Sequence, residues 1–404
     1  MRKGWAKVTV GDVARLDVER IPVRAGQTYK IAGVLNAGRG MLERDPIDGS
    51  ATNYPMLYRL RMYQLVMRKL TAWEGPITVV PRQFHGHFVS TEFPTFTLDR
   101  SLLLPDYMRL ICQQPEFWKQ MRDRSTGTVQ RRKRVSPGQL LQITFDLPPI
   151  NEQRRTVDLI KAIDQCTVTA RATASGLQFL GERLRHFHFS RMSGETQRAG
   201  DFFEIRMGRQ RSPKQASGPH MVKYLRAANV KDGRLDLSDV KLMNFMPSEQ
   251  EKFALWPGDV LVTEGCGSLS QLGASAQWPG GGDGAVYCFQ NTLIRLRGRS
   301  GVSSSDYAYQ WARHSFEAGA FSAIASGTNI FHLGAERVAV MPVMAAEFDI
   351  QAAFVATVSE SDTAASAAEA EVQALVTLRA AVLDDVLTGS HEIPDDYDAI
   401  LEKV

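Results

Sequence analysis

The sequence has little of what marks a membrane, secreted or zinc-binding protein. Its uninterrupted apolar stretches are short, and one of the longest, Val338–Ala346, is broken by Pro342, so we expect no transmembrane helix. Met1–Val10 lacks the apolar core of a secretory signal. The 404 residues include only four cysteines, and no two of them form a Cys-x-x-Cys pair. We therefore expect a cytoplasmic protein with no membrane contact, disulfide framework or structural zinc.

Common catalytic motifs are also missing. The sequence has no phosphate-binding Gly-x-x-x-x-Gly-Lys-Ser/Thr loop, no Gly-x-Ser-x-Gly and no His-Glu-x-x-His. The glycine-rich segment 280–284 lacks a following lysine and a strand-to-helix context, which favours a surface loop. The pairs His85/His87 and His186/His188 have no evident third ligand. We predict no catalytic residue and no metal site in this chain.

Charge is divided unevenly along the chain. Residues 1–200 contain 31 Lys and Arg against 18 Asp and Glu, whereas residues 201–404 contain 17 against 26. The near-neutral total of +4 therefore joins a basic half to an acidic half. A basic half of this kind indicates a nucleic acid or another anionic partner.

Two long helices are predicted, over 148–190 and 346–390, because apolar and small residues alternate at steps of three and four. At 1.5 Å per residue each would be a rod of roughly 60 Å. Helices in globular domains average about a dozen residues, so we favour pairing of the two rods over separate packing of each on its own domain. The residues expected to pair the helices are Ile160, Ile163, Leu177, Leu184, Val358, Val372, Leu375, Val382 and Val386.

The remaining regions, 1–147 and 191–345, are predicted to be two mixed α/β domains, followed by a tail at 391–404. Short matches in the same order indicate a tandem duplication. They are Lys30–Asn36 with Lys223–Asn229, Trp73–Val79 with Trp256–Val262, Asp106-Tyr107 with Asp306-Tyr307, and Gly127-Thr128 with Gly327-Thr328.

Clusters of basic and amide residues in both domains suit DNA. Arginine and lysine bind phosphates, and arginine, lysine and asparagine also recognise base edges in the major groove. For a single run of charge, a solvated surface is the usual explanation, but here the runs recur. The predicted DNA-binding residues are Arg59, Arg61, Arg68, Lys69, Arg82, Arg131, Arg132, Lys133, Arg134, Arg206, Arg209, Arg211, Lys214, Lys223, Arg226, Asn229 and Lys231.

With these features in place, the chain resembles the specificity subunit of type I restriction-modification systems. The similarity covers essentially the whole chain, and its most specific part is the junction Leu147-Pro-Pro-Ile-Asn-Glu-Gln153 before the first helix. Segment 327–342 repeats this junction in a weaker form, with the single proline Pro342 and with Gln351 further along. Leu383–Gly389 is similar to the usual end of the second helix.

The resemblance implies tandem target recognition domains separated by two long antiparallel coiled-coil helices, with no catalytic site in the chain. Each domain would recognise one half of a bipartite asymmetric DNA site, and the helices would space the domains and dock methyltransferase subunits. S-adenosylmethionine would bind the methyltransferase partners, and ATP and Mg would bind restriction subunits. Two alternatives stay open: a coiled-coil scaffold for protein partners, or a DNA-modifying enzyme with cryptic catalytic residues.

Overall fold

The structure is a computed structural model that describes residues 4–127, 133–191, 195–282, 284–391, 393–394 and 397. The chain divides into two compact units, Met1–Thr169 with Glu371–Val404, and Ala170–Ala370. The division falls within the two long helices, so each unit contains one α/β domain and part of both helices. The predicted fold class is confirmed. The predicted domain boundaries treat each helix as a separate segment, whereas its contacts divide it between the units.

The first unit contains short strands and helices that come before the first long helix. The strands are β1 Ala6–Thr9, β2 Ala14–Leu16, β3 Glu19–Pro22, β4 Thr28–Val34, β5 Met41–Asp48, β6 Met56–Arg59, β7 Leu65–Met67, β8 Ile77–Val79, β9 Phe88–Val89, β10 Thr95–Leu98 and β11 Thr144–Leu147. The helices are α1 Val10–Val13, α2 Pro105–Ile111, α3 Pro115–Asp123, α4 Pro137–Leu141 and the long α5 Ile150–Arg191.

Two sheets form the first domain. One has the order β2-β10-β7-β8 and the other β3-β6-β9-β4-β5, while β1 pairs with β11. The main core joins the first sheet to α2 and α3 through buried residues such as Leu65, Phe96 and Met121. It also takes in Ile160 of α5, so the start of the long helix belongs to the core of this domain. A smaller core, which includes Val66 and Val89, lies on the opposite face of β7.

The second unit follows the same plan with additional strands. Its strands are β12 Thr196–Arg198, β13 Phe203–Met207, β14 Met221–Leu225, β15 Val230–Lys231, β16 Arg234–Leu235, β17 Lys241–Asn244, β18 Val260–Thr263, β19 Gly265–Cys266, β20 Ser275–Gln277, β21 Tyr287–Phe289, β22 Leu293–Gly298, β23 Phe331–His332 and β24 Pro342–Met344. Its helices are α6 Ala199–Phe202, α7 Pro247–Phe253, α8 Ser305–Glu317, α9 Ala320–Ala323, α10 Ala335–Ala339 and the long α11 Phe348–Thr388.

The central sheets of the two domains have the same topology. The order β13-β22-β18-β20 matches β2-β10-β7-β8, because in each sheet the strand that comes first in the sequence pairs with the strand that comes last in the sequence. The backbone bonds at the entry to β7 and β18 also match: Tyr63 N–H donates to Val80 O, and Gly258 N–H donates to Trp278 O. Both Tyr63 and Gly258 have positive φ, a conformation that glycine adopts without steric cost. The duplication therefore extends to the hydrogen-bonding pattern.

This equivalence corrects one predicted match. Aligning Trp73–Val79 with Trp256–Val262 would place β8 on β18, but the topology makes β7 the counterpart of β18. The error arose because β8 and β18 are both short, fully buried apolar runs that follow a Trp-x-Gly turn. The Asp106-Tyr107 and Asp306-Tyr307 match is confirmed, since both tyrosines are buried in the first turn of equivalent helices.

The long helices begin and end close to the predicted positions. Helix α5 begins directly after Pro148-Pro149, where the prolines cannot supply backbone donors. Helix α11 runs through an alanine-rich segment with high helix propensity and ends at Thr388 before Gly389, whose φ of 70° is left-handed. Of the residues predicted to pair the helices, Ile160, Ile163, Val358, Val372 and Val386 are buried, and Leu177, Leu184, Leu375 and Val382 are half-buried.

The two helices contact each other within each unit. In the second unit Ser361 Oγ donates to the Leu177 carbonyl at 3.1 Å, and the His188 ring stacks on Phe354 with centroids 3.8 Å apart. Because the α5 residue numbers rise while the α11 numbers fall, the helices are antiparallel. Beyond Leu177 and Ser361, towards the middle of each helix, the buried positions include small residues, so the helix backbones can approach closely. These residues are Ala170, Ala174, Ala365 and Ala368.

Candidate nucleic-acid interface

Two arginines from the predicted set are bound to partners inside their own domain. Arg68 Nη2 donates to Asn36 Oδ1 and to Glu74 Oε2, both at 3.0 Å. Arg209 is buried, lies 2.7 Å from a carboxylate oxygen of Glu249, and donates to a backbone carbonyl. These guanidiniums hold turns and loops in place. We therefore remove both from the candidate interface.

Asn229 is also structural. Its side chain is 2% exposed. Its Nδ2 donates to the carbonyls of Asp236 and Asp239 at 2.9 and 3.1 Å, and its Oδ1 accepts the Arg226 N–H. A buried amide with all of its bonds made inside a loop cannot reach a base edge. Asn229 is withdrawn as well.

A second group of predicted cations carries a carboxylate counter-ion on the surface. The pairs are Arg59 with Glu19, Arg61 with Asp17, Lys69 and Arg134 with Glu92, Arg206 with Glu204, and Arg226 with Asp239. Most of these side chains are partly exposed, and exposed ion pairs are worth about 0–1 kcal/mol. A phosphate can therefore replace the carboxylate at little cost, and these residues stay in the predicted set.

The remaining predicted cations differ in their surroundings. Arg82, Arg211, Lys214 and Lys231 are exposed and have no side-chain hydrogen bond or ion pair within the described residues. Lys223 Nζ lies 3.3 Å from the Tyr287 hydroxyl and 5.3 Å from its ring centroid. Lys133 is half-buried and lines a small cavity. Arg131 and Arg132 lie outside the described residues.

In the first domain, two turns bring Arg61 and Arg82 to one end of the sheets. Met62 N–H donates to His85 Nδ1 at 3.2 Å, and this bond joins the turn after β6 to the turn before β9. Arg100 lies over the Tyr63 ring at 5.1 Å and adds a further exposed cation. Arg100 was missed from the sequence because it is isolated there, and only the fold places it beside the other turn.

In the second domain, the corresponding turn carries a different group. Arg297 donates to both carboxylate oxygens of buried Asp259, at 2.6 and 2.7 Å. Its guanidinium lies 3.6 Å from the ring centroid of Trp256, which is 57% exposed. Trp256 occupies the position that Arg61 holds in the first domain. The sequence predicted neither contact, because Arg297 lies on β22, far along the chain from the turn that contains Trp256 and Asp259.

No group of three or more His, Cys, Asp and Glu within the described residues could hold a metal ion. Burial raises the pKa of the Cys288 thiol to about 12, and it raises the pKa of the Cys112 thiol further, so neither is a thiolate at neutral pH. Across the part of the chain that the structure describes, each helix is too short or too polar to cross a bilayer.

Comparisons with known proteins agree on the fold. No family model matches the chain, and no curated protein matches its sequence. Among solved structures, the HsdS subunit from Thermoanaerobacter tengcongensis is 17% identical with a TM-score of 0.55, covering 97% of this chain and 98% of that one. The type I restriction-modification system S subunit from M. genitalium is 13% identical with a TM-score of 0.56, covering 96% and 97%.

A third similar structure concerns complex assembly and conformational transition of the type I restriction-modification system. That chain is 16% identical with a TM-score of 0.64, and the match covers 96% of this chain and 98% of that one. The present chain therefore has the fold of these subunits over nearly its whole length.

Proposed function

We propose that this chain is the DNA-specificity subunit of a type I restriction-modification complex. The observation that carries the proposal is the agreement between the duplicated domain-and-helix plan and the S subunit structures over at least 96% of the chain. Each domain binds one half of a bipartite asymmetric DNA site. The chain itself is not an enzyme, and it directs the chemistry of its partners.

The binding mechanism combines phosphate and base contacts. Exposed cations such as Arg82 in the first domain and Lys231 in the second bind the DNA backbone and fix its register. The turns at Arg61 and Trp256 differ in chemistry at equivalent positions, which suits domains that recognise different half-sites. The other residues that stay in the proposed interface are Arg59, Lys69, Lys133, Arg134, Arg206, Arg211, Lys214, Lys223 and Arg226.

The long helices provide spacing and docking. We propose that they set the separation of the half-sites and bind two adenine methyltransferase subunits, with restriction subunits as further partners. S-adenosylmethionine belongs to the methyltransferase partners, and ATP with Mg belongs to the restriction partners. Support comes from the length and mutual contact of the two helices, 42 and 41 residues.

The test uses the full chain co-expressed with a methyltransferase that forms a complex with it. Mapping methylated adenines in DNA from the expressing cells should give one bipartite motif, and scrambling either half should abolish binding in a gel-shift assay. Arg82→Ala and Lys231→Ala should weaken binding without altering the motif. Binding with no sequence preference would refute the proposal. Partner binding without DNA affinity would favour the scaffold alternative, and methylation or cleavage by the purified chain alone would favour the enzyme alternative.

The spacer role has its own test. We would delete 168–171 from α5 and 366–369 from α11, which are at corresponding positions. Four residues correspond to ~6 Å of helix, or about two base pairs. The unread gap in the motif should change while the recognised bases stay the same. An unchanged gap would refute the spacer role and leave DNA recognition by the domains intact.

A further inference from the structure

The first domain contains a cationic cavity away from the turns described above. It measures about 290 Å³ and is lined by Trp73, Arg122, Ser125 and Lys133. Trp73 lies on the turn between β7 and β8, Arg122 and Ser125 lie at the end of α3, and Lys133 follows in the next extended segment. Three separate segments thus bring two cations, a hydroxyl and an indole ring to one cavity.

The two cations at this cavity have no counter-ion among the residues that the structure describes. Within the described residues, neither Arg122 nor Lys133 makes a side-chain hydrogen bond or ion pair. Two carboxylates of the same domain are already engaged, since Glu74 pairs with Arg68, and Glu92 lies near Lys69 and Arg134.

The hydroxyl at the cavity is already a donor elsewhere. Ser125 Oγ donates its hydrogen to the Arg122 carbonyl at 2.7 Å. The donors available for an anion are therefore Arg122, Lys133 and the Trp73 indole N–H, which is buried and has no hydrogen-bond partner within the described residues. The Trp73 ring adds an apolar wall. This combination fits an anion attached to an apolar group better than a free inorganic ion.

The second domain shows that the fold does not need these cations. Thr126 and Arg134 exchange a pair of backbone hydrogen bonds, and Ser326 and His332 exchange the same pair in the second domain. The bond from Ser125 N–H to the Arg122 carbonyl likewise has a counterpart from Ala325 to Ser322. At the position of Lys133 the second domain has Phe331, and no cation replaces Arg122. The positive charge at these positions is therefore present in the first domain and absent from the second.

We propose that this cavity binds one phosphate of the DNA backbone, through Arg122 and Lys133, with Trp73 packing against the adjoining sugar. The proposal rests on the proposed DNA-binding function and deepens it. The arginine fork suits a phosphate diester, and lysine adds a second charge without a geometric requirement. The neighbouring Arg131 and Arg132 in the sequence favour the polyanion DNA over a free phosphate. The second domain has no equivalent contact, so phosphate affinity is divided unequally between the half-sites.

The experiment compares the complex of the full chain and its methyltransferase with the double variant Arg122→Gln/Lys133→Gln. DNA affinity is measured by fluorescence anisotropy across a series of salt concentrations. The slope of log K against log salt is negative, and loss of one phosphate contact should reduce its magnitude by about 0.9. Binding to all sequences should weaken alike. The recognised motif should not change, because phosphate contacts carry no base information. Trp73→Ala should weaken binding without changing the slope.

The matched control is Lys119→Gln. Lys119 lies one turn before Arg122 on α3, and its ammonium pairs with Glu116 on the surface. Loss of one positive charge from the same helix, outside the cavity, should leave the slope at the wild-type value. Circular dichroism of the double variant should match the wild type, since the second domain folds without these cations.

Three outcomes would overturn the inference or separate it from the proposed function. A double variant with the wild-type slope refutes the cavity as a DNA phosphate site. Quenching of Trp73 fluorescence by millimolar inorganic phosphate, with an unchanged DNA slope, assigns the cavity to a free phosphate and also refutes it. If the wild-type complex itself fails to bind a bipartite site but the double variant lowers the slope on random DNA, the cavity proposal stands and the specificity proposal fails.

Discussion

Two buried glutamines fasten the long helices to their domains, and replacing each by alanine should have different effects. Gln153 Nε2 donates to the carbonyls of Leu102 and Pro148 at 2.8 and 2.9 Å, and its Oε1 accepts the Leu104 N–H at 2.9 Å. In the second unit Gln351 Nε2 donates to two equivalent carbonyls at 2.9 and 2.8 Å. Its Oε1 has no partner within the described residues.

The expected loss of stability follows from these bonds. A neutral hydrogen bond contributes about 1 kcal/mol net, and a buried group left without a partner costs ~1–3 kcal/mol. Gln153→Ala removes three bonds and should destabilise the first unit by about 3–5 kcal/mol. Gln351→Ala removes two and should destabilise the second unit by about 2–3 kcal/mol. The difference between the two variants, on the order of 1 kcal/mol, measures the bond from the Leu104 N–H.

The assay is urea denaturation followed by hydrogen exchange, with peptides from each unit analysed separately. Each substitution should lower the protection of its own unit, and Gln83→Ala at an exposed position serves as the control for loss of a glutamine side chain. If Gln153→Ala and Gln351→Ala destabilise their units equally, or each by less than about 1 kcal/mol, then the glutamines do not fasten the helices.

The remaining predictions concern charged groups in the helix contacts. Arg185→Ala should destabilise the second unit by about 1.5–3 kcal/mol, because Arg185 is 1% exposed and its removal leaves Arg313 as the remaining partner of Glu317 and Asp362. Arg379→Ala should cost about 1 kcal/mol, because that pair is partly exposed; chemical denaturation of both variants checks the order. Burial lowers the pKa of His188 to about 4 from a usual value near 6.5, so the unfolded state binds the extra proton between these pH values. His188 should therefore lower the unfolding free energy by up to ~1.4 kcal/mol per pH unit as pH drops from 6.5 to 4. His188→Phe should remove this part of the dependence and leave the part due to His314, whose pKa burial also lowers to about 4.

Helix pairing was predictable because it depends on the spacing of apolar and small residues, which can be read directly from the sequence. The seam residues Ile160 and Val358 repeat at helical intervals, and both are buried as the pattern requires. The second junction was harder to recognise, since only one of its two prolines is present. The structure shows that Gln351 lies 198 residues after Gln153, and each helix begins three residues before its glutamine. The side-chain hydrogen bonds of the two glutamines show this equivalence, although the residues around them differ.

The candidate interface was less predictable, because residue type does not determine burial. Arg209 and Asn229 are of the types that contact DNA, yet tertiary contacts bury both within their domain. Conversely, Arg297 and Trp256 lie 41 residues apart in sequence, and only strand pairing brings the guanidinium over the ring. The basic character of a segment was visible in the sequence, whereas the identity of its free cations depended on which carboxylates the fold places beside them.

Both copies have an ion pair between the long helices, but the arginine comes from different positions in the two copies. Asp164 and Asp362 are 198 residues apart, the interval that also separates the two glutamines, and each binds an arginine from the other long helix. For Asp164 the arginine is Arg379, whose counterpart at the same interval is Gly181. A side-chain carbon at Gly181 would lie 3.0 Å from Asp362 Oδ1, so the glycine leaves room for Arg185, one turn further along, to bind the carboxylate.

This arrangement limits which changes of helix length the fold can accept. The segment 168–171 lies between Asp164 and Gly181, and 366–369 lies between Asp362 and Arg379, so deleting both segments retains the ion pair within each unit. A deletion of four residues rotates the rest of each helix by ~40°, whereas a deletion of seven rotates it by about 20°. The buried contact at Arg185 tolerates rotation less than the partly exposed contact at Arg379, because a misplaced buried charge loses both its partner and its solvation. A seven-residue deletion should therefore retain more stability than a four-residue deletion, although it removes more of the seam.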